Sequence, residues 1–230
     1  MFQQGRDSYR VDAHDLTEPW NVETASGPIH SYDFSDDVPV DEDVYDNDRT
    51  HGLHLRHTGG SRMYIGNRRE ILQYDLSTDW DVSTALFVDS MPVLDYIEFG
   101  HDIDISPDGE YLYFDDRAED TVVQFEFRTP WDITTLEHDY TLDISKTGNA
   151  IRGLELSPGG VRMFHCDTDE NKVFRWDLTE PWDLSTATFT SEYDFAGITD
   201  DPRSVTWRQG GERFYITDRD RGEVLQFDIV

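Results

Sequence analysis

The sequence predicts an all-β fold, a small propeller of repeated four-stranded antiparallel blades, and three observations carry that prediction. One phrase recurs along the 230 residues: VDAHDLTEPWNVETAS (11–26), ILQYDLSTDWDVSTAL (71–86), VVQFEFRTPWDITTLE (122–137), VFRWDLTEPWDLSTAT (173–188) and a truncated VLQFDIV (224–230). Its Trp falls at Trp20, Trp80, Trp131 and Trp182, so the later two intervals are both 51 residues. A second series keeps the same beat, with Gly60, Gly109, Gly160 and Gly211 followed by Tyr64, Tyr113, Phe164 and Tyr215. A β-rich period near 50 residues is the mark of a propeller blade.

Residues 101–143 show how one blade is built. HDIDIS (101–106) alternates Ile103 and Ile105 with acids and reads as a first strand. SPDG (106–109) is a turn, EYLYF (110–114) a second strand, DDRAED (115–120) a loop, and TVVQFEF (121–127) a third strand. TPWDITT (129–135) then leads to a fourth strand around 136–142. Pro stops the third strand, and Asn or Asp at 21, 81, 132 and 183 can form an Asx-turn. The Trp of each copy offers a large apolar area to seal one blade against the next.

First strands near 53, 103, 154 and 205 predict about four blades, at 51–95, 101–143, 151–195 and 203–230. The chain given ends at Val230, just after a third strand. TASGPIHSYDF (24–34) parallels TATFTSEYDF (186–195), so 24–34 is expected to complete the last blade, as ring closure protects sheet edges. Residues 9–16 also read as a third strand and compete for that slot. The stretch 35–50 is then an acidic loop between blades.

Composition narrows the setting. The chain has 49 Asp and Glu against 19 Lys and Arg, a formal net charge of −30. Asp outnumbers Glu 34 to 15, and the only lysines are Lys146 and Lys172. Short carboxylates in place of lysine are what proteins of high-salt organisms look like, where a Debye length of about 3 Å at 1 M screens their repulsion. A disordered acidic chain is excluded, because aromatics make up 13% and hold fixed repeat positions. Nucleic acid is an unsuitable partner for such a surface. Cys166 stands alone, which excludes an intrachain disulfide and a cysteine metal cluster. No apolar run is long enough to predict membrane insertion, and MFQQGRDSYR carries no signal-peptide core. The expected location is the cytoplasm, or an assembled particle that leaves the cell.

ISPDGEYLYFDDRAEDTVVQFE (105–126) is similar to the blade repeats of bacterial and archaeal surface propellers. The Thr-Pro-Trp-Asp-Leu-Ser-Thr-Ala phrase resembles that of repeat proteins encoded by tailed viruses of bacteria and archaea. With the acidic composition, the resemblance implies a non-enzymatic virion protein of a tailed virus of halophilic archaea, in a head turret, decoration or tail module. Its partners would be other virion proteins and a host cell-surface glycoprotein or glycan, with many copies per particle or a homo-oligomer. The alternatives are a cellular haloarchaeal scaffold and a metal-dependent propeller hydrolase or lyase.

Two candidate sites fall on one predicted face. His51, His101, Arg152 and Arg203 share one repeat position before the inner-strand apolar residues and would ring the channel mouth, suited to a carboxylate or sulfate. Each also has a local acid to pair with, such as Asp102, Asp104, Glu155 or Asp201. In the acidic loop, Asp36, Asp37, Asp41, Asp43, Asp46 and Asp48 offer oxygen ligands to Ca²⁺ or Mg²⁺, without an EF-hand pattern. No nucleophile elbow, phosphate loop or HExxH helix is present. His51, His54 and His57 alternate faces on a strand and cannot all converge. Asp104 and Glu155 imitate channel carboxylates of propeller lactonases and lyases, but Thr206 leaves that set incomplete.

Overall fold

Hairpin follows hairpin along the chain, because each repeat pairs an alternating apolar run with its nearest neighbour through a short turn. The computed structural model describes residues 1–5, 8–38, 50–199, 201–207 and 213–228. The first blade contains β1 (Phe2–Gly5), β2 (Arg10–Leu16) and β3 (Ala25–Asp33). The second contains β4 (Thr50–Leu55), β5 (Arg62–Asn67), β6 (Glu70–Leu76) and β7 (Ala85–Pro92). The third has β8 (Gly100–Ile105), β9 (Tyr111–Asp116), β10 (Thr121–Phe127) and β11 (Leu136–Asp143). The fourth has β12 (Ile151–Leu156), β13 (Arg162–Asp167), β14 (Lys172–Leu178) and β15 (Ala187–Asp194). The fifth has β16 (Pro202–Trp207), β17 (Arg213–Asp218) and β18 (Glu223–Asp228).

The fold is therefore an all-β propeller, but with five blades of three or four strands rather than about four. The expected closure is also corrected. Segment 24–34 does not finish the last blade: β3 pairs with β2, Arg10 opposite Asp33 and Ala13 opposite His30. Residues 9–16, the competing third strand, take it locally. Closing that hairpin requires only the short 17–24 connection, so it costs far less chain entropy than joining opposite ends of the sequence.

The repeated Trp makes the joint between blades. Trp20, Trp80, Trp131 and Trp182 all sit at positive φ, between 64° and 69°, a conformation that costs a non-glycine residue roughly 1 kcal/mol. Asp132 holds the turn by accepting from the Thr134 N–H at 3.1 Å and the Thr134 hydroxyl at 2.6 Å. The Trp131 N–H donates to the Gly109 carbonyl at 3.1 Å. Its indole lies over Gly109, where an added Cβ would run into the ring. Its own carbonyl accepts the Tyr64 hydroxyl of the preceding blade at 2.6 Å. Tyr113 does the same to Trp182 at 2.6 Å, and Tyr215 to Trp20 at 2.6 Å. The last of these joins the fifth blade to the first and closes the ring.

Between adjoining blades lie buried apolar clusters, such as Tyr64, Ile71, Ile103, Phe114 and Trp131 between the second and third. Burying each of these side chains contributes roughly 1.5–3 kcal/mol. The inner strands β4, β8, β12 and β16 stand side by side around the axis, and their polar positions form the candidate site.

Candidate functional site

Inner strands of a propeller leave one edge of backbone N–H groups without a strand partner, and buried N–H groups require an acceptor. Here carboxylates on the preceding blade supply it. Asp102 Oδ2 accepts from the Leu154 N–H at 3.1 Å, and Asp104 Oδ2 from the Leu156 N–H at 2.7 Å. Glu155 accepts from the Trp207 N–H at 3.0 and 3.2 Å through its two oxygens. Glu155 is pushed well above the usual carboxylate range by burial, then by the charge of Asp104.

At one end of these strands the structure gathers three of the four expected basic residues. The His51 and His101 rings stack at 4.2 Å, and Arg152 Nη1 hydrogen-bonds His101 Nε2. A guanidinium stays protonated, so it donates here and His101 accepts through Nε2. His101 is held far below the ordinary histidine range by burial first, then by His51 and Arg152. Phe99 lies tilted against His101 at 5.0 Å, with the Arg68 guanidinium 3.5 Å above its face. Arg203 stands apart, because Asp201 holds its Nε at 2.6 Å and also binds Arg219 at 2.7 Å.

Beneath this cluster lie two carboxyls, Asp102, expected only as a local partner for a basic residue, and Asp115, expected in a loop. Asp115 Oδ1 accepts from the His101 N–H at 2.7 Å and the Asp102 N–H at 2.8 Å. Burial pushes Asp115 up to about 7, against the lowering effect of those bonds. Asp102 is raised well above its ordinary value by burial and by the nearby charge of Asp115. Both carboxyls are thus pushed toward the protonated form by burial.

Toward the other end, His54 Nδ1 lies 3.2 Å from Asp104 Oδ1. His57 meets His54 edge-on at 5.0 Å, while His51 goes to the opposite mouth. The signal for this pair was present: 54, 104, 155 and 206 are one repeat column carrying His, Asp, Glu and Thr. Its carboxylates are occupied by backbone N–H groups. Among the described residues no group of three or more His, Cys, Asp or Glu side chains is placed to hold a metal ion. Of the acidic-loop ligands, Asp41, Asp43, Asp46 and Asp48 lie outside the described residues. Asp37 accepts the Tyr32 hydroxyl at 3.0 Å, and Asp36 is exposed.

No family model and no curated protein matches the chain. Solved structures do. One is a provisionally named 6-phosphogluconolactonase of Bacteroides uniformis, with TM-score 0.58 and 12% identity over 98% of this chain and 62% of that one. Another is the periplasmic gluconolactonase of Pseudomonas aeruginosa, with TM-score 0.56 and 13% identity over 96% of this chain and 60% of that one. The β-propeller domain of Cps50 (Swd1) from Myceliophteria thermophila gives 0.53 and 11% over 96% and 66%. At such identities the likeness shows the propeller fold alone. The chain spans about three fifths of the length of the first two. The expectation of a non-enzymatic ring is corrected by this likeness, since the similar structures include two named as lactonases. They lend no support to a virion role.

Proposed function

We propose that this chain is the propeller of a hydrolase that opens the internal ester of an anionic sugar acid, holding the charged arm of the substrate at the arginine-lined mouth. The observation that carries this reading is the convergence of Arg152 on His101 and His51 above Asp115, in a chain of net charge −30. A guanidinium is planar and permanently charged, which suits it to a phosphate or carboxylate. Arg203 and Arg219 are instead both engaged by Asp201, which leaves Arg152 as the cation of this cluster. The fold is shared with proteins whose names state lactone hydrolysis, one of them of a phosphorylated sugar lactone. On the same proposal its acidic surface makes molar salt the working medium.

Acid release from a phosphorylated aldonolactone and from its neutral counterpart, followed by pH-stat in molar KCl, tests the reading. The phosphorylated lactone is expected to turn over well above its spontaneous rate and with the higher kcat/KM. Arg152→Met should raise its KM roughly 10–100-fold, as loss of a charge-assisted contact does. The neutral lactone should change little. Binding without turnover of any lactone or ester would overturn the proposal.

A further inference from the structure

Opening a lactone requires a group that takes a proton from water; at the mouth His101 Nε2 is engaged by Arg152 and Asp115 Oδ1 by two backbone N–H groups. Three residues further along the inner strands, roughly 10 Å at the strand rise, stands a histidine built for that task. The His54–Asp104 approach is 3.2 Å, and the orientation of Asp104 is fixed by the Leu156 N–H at 2.7 Å and the Ile105 N–H at 2.8 Å. The His54 ring stacks on Trp131 at 6.4 Å and packs against Tyr64 at 6.4 Å. An imidazole that donates through Nδ1 to a carboxylate keeps its lone pair on Nε2. His54 is only 6% exposed, and among the described residues nothing hydrogen-bonds its buried Nε2. A buried polar atom left without a partner costs about 1–3 kcal/mol, which is what a water or substrate hydroxyl seated there would relieve.

We infer that His54, oriented by Asp104, is the general base of the ring-opening step and is reached from the side of the exposed His57. This rests on the hydrolase reading above and adds the group that carries the proton. Water oxygen bonds to the lactone carbonyl carbon while its proton passes to His54 Nε2. The bond from that carbon to the ring oxygen then breaks, and His54 returns the proton to the departing oxygen. The product is a hydroxy acid, which releases its own proton to solvent, so the pH-stat counts one proton per turnover. The charged and titratable groups facing His54 are Asp104, His57, Tyr64 and Arg56, whose guanidinium lies 5.0 Å over Trp131, with Glu155 beyond Asp104. His57, although its edge is exposed, is held below its ordinary value by desolvation of the ring against the chain and then by His54.

The test uses the whole chain, the phosphorylated lactone, and the variants His54→Gln, Asp104→Asn and His57→Gln. His54→Gln should lower kcat at least 100-fold with KM within threefold, the range of general-base loss. Asp104→Asn should lower kcat at least tenfold with KM within threefold, because the ring loses the group that orients it. His57→Gln, on an exposed side chain, should keep the fold and the base, and lower kcat less than tenfold. Nitrogen NMR of the wild type should show His54 protonated on Nδ1 only, a state that Asp104→Asn scrambles. A wild type that turns over, with His54→Gln within threefold of it, overturns the base and leaves the hydrolase standing. His54 protonated on Nε2 would also overturn the base. A wild type inactive on every lactone overturns both.

Discussion

Trp131 offers one buried carbonyl to two donors from the preceding blade, the Tyr64 hydroxyl at 2.6 Å and Arg62 Nη1 at 2.6 Å. That geometry predicts a non-additive double mutant. Tyr64 is fully buried, and its hydroxyl is pushed up to about 12, chiefly by burial. Tyr64→Phe removes one hydrogen bond and almost no volume, so it should cost about 1 kcal/mol. Arg62→Met should cost about the same, since its other partner, Asp75 at 3.1 Å, is half exposed and such pairs contribute little. In either single variant the carbonyl keeps one donor. In the double variant it keeps neither and carries a desolvation penalty of roughly 1–3 kcal/mol more. The expected totals are about 1, 1 and 3–5 kcal/mol, with roughly 2–4 °C in Tm per kcal/mol for a domain of this size. Urea and thermal unfolding in molar KCl measure all three. Additivity within about 0.5 kcal/mol would refute the shared-acceptor joint, and with it the reason given for the recurring Tyr and Trp.

Three further outcomes are expected. Gly109→Ala should destabilise by at least 2–4 kcal/mol, because its Cβ meets the Trp131 indole at a φ of 75°. Gly59→Ala, at a φ of 87° with open space around it, should cost about 1 kcal/mol, and equal losses on denaturation would contradict the packing account. Asp115 is raised by burial from 3.8 to about 7, so the unfolded chain releases this proton first as pH rises. Stability should therefore fall between about pH 4 and 7 and level off above, by the order of 2–4 kcal/mol. Asp115→Asn should flatten that slope and be the more stable protein at pH 8, while an unchanged slope would mean the carboxyl ionises freely. Finally, with a net charge of −30, Tm should climb steadily from 0.1 to 3 M KCl as screening shortens from about 10 Å to below 3 Å. A salt-independent Tm would remove the high-salt reading.

The repeat beat made the propeller legible, since Trp and Gly at a fixed interval have to meet once per blade. Blade number was harder to read. The similarity of 24–34 to 186–195 identified a fourth strand correctly in kind, but similarity does not say which third strand it joins, and the nearer one won on loop entropy. The basic column 51, 101, 152, 203 was visible as a column. What the sequence could not show is that Asp201, on the loop before β16, draws Arg203 away while a neutral His101 accepts Arg152. The His54–Asp104 column is equally visible, but its contact is not. Its members lie on different strands, and only the ring brings β4 beside β8. Asp115 opens the polar run DDRAED, yet it lies buried near the end of β9.

The most direct check is a crystal structure grown in molar salt with the phosphorylated hydroxy-acid product bound. The account predicts the phosphate on Arg152 and its neighbours at the mouth, with the end carrying the new carboxylate lying along the inner strands toward His54. Product seated on the outer rim of the blades, or bound with its carboxylate pointing away from β4 and β8, would contradict it.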